Sequence, residues 1–561
     1  MDPKVAESEH EAVRGAPPRR HPKTAERWLD FAAPTLLVVL SALLLVRLWP
    51  LVTKPFWFDE QWRAYHVILP GLSMDLATIY APSALGWMLV EKAAGALLGV
   101  REWALRLPMA LVVPALAVAT YRLTRTWAGP LSSAVGAAAL LVNPAVIDYG
   151  LQLKPFIWDA LVVVLMFLVW SRAEGRTPLW RLASYTVLGL LSAFAIPAVF
   201  VLAPLLMLDV GRALRRGGLV ADGLPAVVAG VLALAHLALF VRPQTLIIDY
   251  PYWNGLFVPH HLDPAIRSVW QQLQTYPDGL LTGAGSLQSR AFTGVVVAPP
   301  SPLLRWPLLA AELVLITLGT AVAWRRRDGQ GLLAVVFGAL LLQLVGSYLG
   351  LWPFGFVRVN LFLVPFAVAL LAAGSHSLLT WRPGRASWLP ALVVLAPVVV
   401  VLVAVLAYDL AAVRSIAQQS NAVGLDGELR SVVATARAQA TPTTLAVVDL
   451  DGRLGYGPYG KGWVFYMDYY DGHGEPTAAA PRIPGQRTLY LDRRDPRADL
   501  RRFLAARPAA DKVLVYNSSG TGPTRGRAIS QALTSAGFAP DQHFKFPSTG
   551  QLVVYTRQPR T

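Results

Sequence analysis

The chain has 561 residues, of which 55% are hydrophobic and only 15% charged. A soluble chain of this length carries about a quarter charged residues, so a soluble multidomain protein is excluded. The formal net charge of +16 does not point to nucleic acid, because the excess arginine stands in short clusters beside apolar segments, and the lack of cysteine excludes disulfides and thiolate metal sites.

Residues 1–30 read as a basic, disordered cytoplasmic tail containing Arg19-Arg20-His21-Pro22-Lys23. The apolar run 33–51 has no convincing small-residue cleavage site and reads as a retained first span. Directly behind it comes Lys54-Pro55-Phe56-Trp57-Phe58-Asp59-Glu60-Gln61-Trp62-Arg63. Aromatic residues belong at a membrane–water interface, whereas adjacent carboxylates near lipid are costly to desolvate and tend to be kept for chemistry or ion binding. The competing reading is a solvated loop with two ordinary acids.

Residues 83–100 are apolar but carry Glu91 and Lys92. Further spans are predicted at 104–121, 131–146, 155–171, 179–194, 197–210, 224–242, 304–323, 331–349, 357–375 and 387–408. If 83–100 does not cross, Arg122/Arg125, Arg172/Arg176/Arg181, Arg212/Arg215/Arg216, Arg325/Arg326/Arg327 and Arg382/Arg385 all share the side of the basic N-terminus. It therefore reads as an interfacial or re-entrant helix. That leaves about eleven spans, with the N-terminus cytoplasmic and the C-terminus outside. Residues 179–210 read as one long tilted helix or two short spans, and Pro197 favours two. The outer face then collects 52–103, 147–154, 350–356 and the loop 243–303, which is rich in Pro, Tyr, Trp and His.

After residue 410 the apolar runs shrink to strand length: 445–449, 488–491, 512–516 and 551–555, with helix-like stretches at 496–506 and 524–536. This alternation predicts a small α/β domain with a partly parallel sheet. The expected architecture is a polytopic α-helical membrane domain over 31–410, followed by an extracytoplasmic α/β domain over 411–561.

The acidic pair after the first span, the outer helix and Gly99-Val100-Arg101-Glu102-Trp103-Ala104-Leu105-Arg106-Leu107-Pro108 together resemble the GT-C fold glycosyltransferases. The nearest members are the lipid A aminoarabinose transferases, the protein O-mannosyltransferases and their bacterial relatives. Asn143-Pro144, Tyr149 and Gln152-Leu153-Lys154-Pro155-Phe156 resemble the second outer loop of that group. Arg358-Val359-Asn360-Leu361-Phe362-Leu363-Val364-Pro365 resembles its late arginine-to-proline segment. The match covers roughly 30–370 as an ordered series of motifs, and the tail lies outside it.

The resemblance implies transfer of a sugar from a polyprenyl-phosphate donor to a cell-envelope acceptor at the outer face of the membrane, with inversion. An attacking hydroxyl must lose a proton, and Asp59 is the candidate general base; Glu60 assists, orients a donor or binds a metal. The departing lipid phosphate needs fixed cations, for which Lys154, Arg358 and Arg63 are the candidates. The competing readings are that Lys154 snorkels at a span end and that Arg358 anchors its helix. Other members carry a second acid in the loop where this chain has Lys154, which leaves Asp148 and Asp159 as possible second acids. A divalent metal ion is used by some members and not others, so metal use stays open.

Four further features carry competing readings. His260-His261 would point to opposite faces of a strand and reads as a surface pair. Gly455-Tyr456-Gly457-Pro458-Tyr459-Gly460 matches a dinucleotide fingerprint but opens no evident helix. Asn517-Ser518-Ser519-Gly520-Thr521-Gly522 is an anion cradle or an ordinary strand-to-helix turn. The aromatic run 456–470 fits stacking on sugar rings or a simple packed loop, and docking the tail onto the membrane part or holding a glycan acceptor is the preferred reading. The rival functional class is a non-catalytic transporter, lipid-binding protein or envelope scaffold; the absence of internal repeats weighs against a transporter.

Overall fold

The structure is a computed structural model. It describes residues 24–68, 82–173, 175–216, 219–245, 257–282, 302–355, 358–380, 403, 406–416, 428–449, 462–469, 482–491, 496–518, 522–547 and 549–559. Helices stand at each predicted span up to 357–375: α1 (Thr24–Arg47), α4 (Glu102–Thr124), α5 (Pro130–Val142), α6 (Pro144–Gly150), α7 (Phe156–Ala173), α8 (Pro178–Leu191), α9 (Ala198–Arg216), α10 (Leu219–His236), α12 (Pro302–Trp324), α13 (Arg327–Tyr348) and α14 (Val364–Thr380). Among the described residues six helices are long and apolar enough to cross a membrane, or seven if α5 and α6, bent by 57°, count as one. The predicted span 387–408 falls almost wholly outside the described residues, as do 1–23 and the glycine-rich stretch 455–460.

Between α1 and α4 the described residues hold a single helical turn, Trp49–Val52, and two longer helices. The longer two are α2 (Phe58–Ile68), which carries the acidic pair, and α3 (Leu85–Leu98), the predicted interfacial helix. Residues 179–210 form two helices, not one. The helix breaks at Ser192–Phe194 ahead of Pro197, whose ring disfavours helical backbone at the preceding residue. The carbonyl of Phe194 freed by that break accepts from Trp158 Nε1 at 2.9 Å. Within 243–303 the longest described element is an amphipathic helix, α11 (Leu262–Thr282).

Membrane helices lack a hydrophobic drive toward one another and gain from close backbone approach at small residues. Helices α12 and α14 meet in this way. A β-carbon on Gly319 would sit 2.0 Å from the Leu370 carbonyl oxygen, and one on Gly374 would sit 2.0 Å from that of Leu315.

The tail contains α15 (Leu429–Ala438), β1 (Leu445–Asp449), β2 (Thr488–Leu491), α16 (Pro496–Ala505), β3 (Lys512–Ser518), α17 (Pro523–Ser535), β4 (Phe538–Phe546) and β5 (Gly550–Arg557). The strand order is β2-β1-β3-β5-β4. Strands β2, β1 and β3 run parallel, with Val447 opposite Leu489 and Val515; β5 is antiparallel to β3 and β4 to β5. The mixed sheet fits the expectation of a partly parallel one. Strand β4 was not predicted, for it is mostly solvent-exposed and breaks register between Pro540 and Gln542. Such a bulged, polar outer strand discourages pairing with other chains.

Side chains alternate across the sheet, and the two faces have different partners. Leu445, Val447, Val513 and Val515 pack under α16 and α17 with Leu500, Phe503, Ile529 and Leu533. Ala446, Val448, Leu514 and Tyr516 belong instead to the main core, together with Trp463, Phe465, Tyr466 and residues of the membrane domain such as Phe56 and Leu105. The tail is thus seated on the helical part through one face of its sheet and the turn Phe465–Tyr469.

Candidate active site around Asp59

The local structure of the acidic pair follows from its place at a helix start. Trp57 is the residue before the first helical one, and its backbone N–H donates to Glu60 Oε2 at 3.4 Å, the reciprocal half of a capping box. Both carboxylates lie in the first turn of α2, where the exposed N–H groups favour negative charge.

Successive helical residues point about 100° apart, and the two acids part company. Glu60 is fully buried. Arg106, also fully buried, binds it through Nε to Oε1 at 2.9 Å and Nη2 to Oε2 at 2.5 Å. The Leu153 backbone N–H donates to Oε1 at 2.6 Å. The same guanidinium donates to the carbonyls of Leu51 and Val52 at 3.2 and 3.0 Å, and to that of Lys54. Its charge lies 4.7 Å from the centre of the Phe56 ring. No role for Arg106 was drawn from the sequence, although it stands in the quoted motif. An arginine inside an apolar span is itself the signal that would have found it.

Asp59 keeps some exposure, 16% of its side chain. Its Oδ2 lies 3.1 Å from Lys154 Nζ and 3.1 Å from Arg358 Nη1. Three segments therefore converge: the start of α2, the loop between α6 and α7, and the turn Arg358–Leu363 before α14. Aromatic faces pave the cations' surroundings. Lys154 sits 5.6 Å from the Trp57 ring centre, Arg358 5.8 Å from that of Phe156, and Arg63 5.2 Å from that of Trp87. Trp57 and Phe56 are buried; the side chains of Phe58 and Trp62 are outside those described.

The electrostatics follow from this packing. Burial by itself would raise the Asp59 carboxyl, but Lys154 and Arg358, helped by Arg63, outweigh it and hold the group below its ordinary value. Burial brings the Lys154 ammonium down to about 7, with Arg358 and Arg63 adding to the fall and Asp59 opposing it. Arg63 is brought down to about 9 by burial, against the charges of Asp59 and Asp159.

Of the two possible second acids, Asp159 is buried on the first turn of α7, its Oδ1 has no hydrogen-bond partner, and it is coupled electrostatically to Arg63. Asp148 is buried on α6 and faces a different set of charges, those of Glu60 and Lys54. Among the described residues no three His, Asp or Glu side chains gather as a metal site. An ion placed at Asp59 would also meet the charges of Lys154, Arg358 and Arg63, so these residues do not fit a divalent metal. His260 is an exposed loop residue with its ring 4.9 Å from that of Tyr348.

No protein-family model matches the chain, and no curated protein matches it in sequence. Solved structures do match. ArnT from Cupriavidus metallidurans in the apo state superposes with a TM-score of 0.53 at 14% identity, over 94% of this chain and 99% of that one. ArnT bound to undecaprenyl phosphate gives 0.50 at 14% identity, over the same shares. The arabinofuranosyltransferase AftD from Mycobacteria gives 0.48 at 14% identity, over 95% of this chain and 40% of that one. With its long apolar helices and end-to-end superposition on ArnT, the chain is a polytopic membrane protein of the GT-C fold.

Proposed function

We propose that this protein transfers a sugar from a polyprenyl-phosphate carrier to a cell-envelope acceptor at the outer face of the membrane. Asp59 is the general base, and Lys154, Arg358 and Arg63 hold the lipid phosphate. The observation that carries the proposal is the carboxylate of Asp59 at 3.1 Å from both Lys154 and Arg358. A proton acceptor and two phosphate-binding cations, far apart in sequence, share one partly open place. The superposition on ArnT holding undecaprenyl phosphate supports the donor class.

The chemistry is a single displacement. The acceptor hydroxyl attacks the anomeric carbon, the new carbon–oxygen bond forms, and the bond to the phosphate oxygen breaks on the opposite side, which inverts the centre. The hydroxyl proton passes to Asp59, and the electron pair leaves with the lipid phosphate. Charge then grows on the phosphate, where Arg358 supplies a forked donor and Lys154 a point charge. Without donor, the same cations depress the basicity of Asp59. An incoming phosphate competes for them, and Asp59 becomes a stronger base as the donor seats. Glu60 we assign to holding the helix start and the loop that carries Lys154.

The test is incubation of the purified protein with a panel of prenyl-phosphate sugars, scored for turnover. Asp59→Asn is expected to lower kcat by about 10²- to 10⁴-fold, the range of a lost general base. Transfer at the wild-type rate by that variant would remove Asp59 from the role. No turnover with any donor would favour a lipid-binding or scaffold protein.

A further inference from the structure

The backbone just before α2 is held from two sides. The Gln61 side-chain amide donates to the Phe56 carbonyl at 3.0 Å, within the membrane domain. The Phe56 N–H is taken from the other side, by the Tyr466 hydroxyl of the tail at 2.8 Å. That hydroxyl passes its own proton toward Glu102 Oε1 at 3.3 Å, and Arg430 Nη1 meets the same oxygen at 3.1 Å. Phe56, Tyr466 and Glu102 are buried. The rings of Phe465 and Phe56 meet edge to face with centroids 5.5 Å apart, and Phe465 packs in the same way on Tyr466 at 5.0 Å.

We infer that the C-terminal domain sets the position of the catalytic helix start, with Tyr466 as the positioning residue and Glu102 and Arg430 fixing its hydroxyl. The reasoning is geometric. Phe56 lies three residues before Asp59, and only Trp57 and Phe58 separate them. A buried backbone N–H must have a partner, and this one is supplied by another domain. Glu102 accepts from both Tyr466 and Arg430, so the hydroxyl has its donor direction spent on Glu102 and presents a lone pair to Phe56. Catalytic groups misplaced by about 1 Å lose about a hundredfold in rate, so a loose helix start acts on turnover more than on donor binding. The cations that would bind the donor, Lys154 and Arg358, stand on other segments, the loop before α7 and the turn before α14.

The activity readout rests on the transferase reading, so the experiment has two arms on full-length protein in detergent. One arm is amide hydrogen exchange, by mass spectrometry, of peptides covering 52–60. The other is kcat and KM for a prenyl-phosphate sugar that the wild type turns over. Tyr466→Phe keeps the ring and loses the hydroxyl. It is expected to speed exchange in 52–60 and to lower kcat about tenfold, with KM for the donor within about twofold. Arg430→Gln should do the same more weakly, and Arg430→Lys should restore it. Arg497→Ala, on the exposed side of the tail, should change neither. If Tyr466→Phe does not fold, the Arg430 pair decides the matter, since that side chain is partly exposed. Unchanged exchange and unchanged kcat, or a lower melting temperature with unchanged kcat per folded molecule, overturn the inference. If the wild type turns over no donor, the transferase reading fails while the exchange arm still decides whether the tail holds 52–60.

Discussion

Arg106 binds both carboxylate oxygens of Glu60, at 2.9 and 2.5 Å, with neither side chain exposed to solvent. The pair joins the first apolar turn of α4 to the first turn of α2. Removing one member leaves a buried charge without compensation, which costs about 3–5 kcal/mol. Arg106→Met should therefore lower the melting temperature in detergent by many degrees. Adding Glu60→Leu should recover only part of the loss, because the carbonyls of Leu51 and Val52 also lose their donor. An Arg106→Met protein that melts like the wild type would show the pair to be dispensable.

The two cations at Asp59 should separate in kinetics. Arg358→Lys keeps the charge but loses the fork, and such a substitution is not conservative where bidentate recognition matters. Donor KM is expected to rise about tenfold, one bidentate contact's worth. Lys154→Met should raise KM further and lower kcat as well, because the leaving phosphate loses a point charge. Equal, small effects of both changes would argue that these residues serve only to neutralise Asp59.

Donor affinity should fall with rising pH. Lys154 has its value brought down to about 7 in the protein without donor. Below pH 7 it is charged and ready to meet a phosphodiester whose own charge is constant. Above pH 7 a proton must be taken up for that contact, so the Kd should climb, by up to about tenfold per pH unit if the proton is obligatory. Asp59, held below its ordinary value, stays ionised and adds nothing across this range. Titrating a prenyl-phosphate sugar between pH 6 and 8, below the value of about 9 to which Arg63 is brought, measures the slope. Lys154→Arg, which keeps its charge, should flatten it.

Helices α12 and α14 should not tolerate a side chain at their crossing. A β-carbon at Gly319 would lie 2.0 Å from the Leu370 carbonyl oxygen. Gly319→Val must push the helices apart, at a cost of about 1–3 kcal/mol for overpacking. Thermal melting in detergent checks it. Gly175→Val provides a contrast in space alone, since no atom lies within 4 Å of its added β-carbon, although its φ of +71° strains any side chain.

What could be read in the chain depended on whether the signal was local. The strands at 445–449 and 512–516 announce themselves as short apolar runs because both of their faces are covered. Strand β4 gives no such signal: Pro540, Asp541 and Lys545 suit an exposed edge, and only pairing with β5 makes it a strand. Asp59 was legible because an acid beside a span is costly. The different fate of Glu60 was not, because two neighbouring acids look alike until the helix turns one of them inward to Arg106. Tyr466 was hidden for a related reason. Its partner is a backbone amide 410 positions away, and a tyrosine in an aromatic run carries no mark of that.

One bond described above links the two halves of the site. The carboxylate that caps the helix of Asp59 also accepts the Leu153 amide at 2.6 Å, and Leu153 is the residue before Lys154. Glu60 is therefore a common gauge from which Asp59 and Lys154 each take their bearing. Without it both would lose their reference at once, whereas losing the Tyr466 hydroxyl loosens only the residues before Asp59.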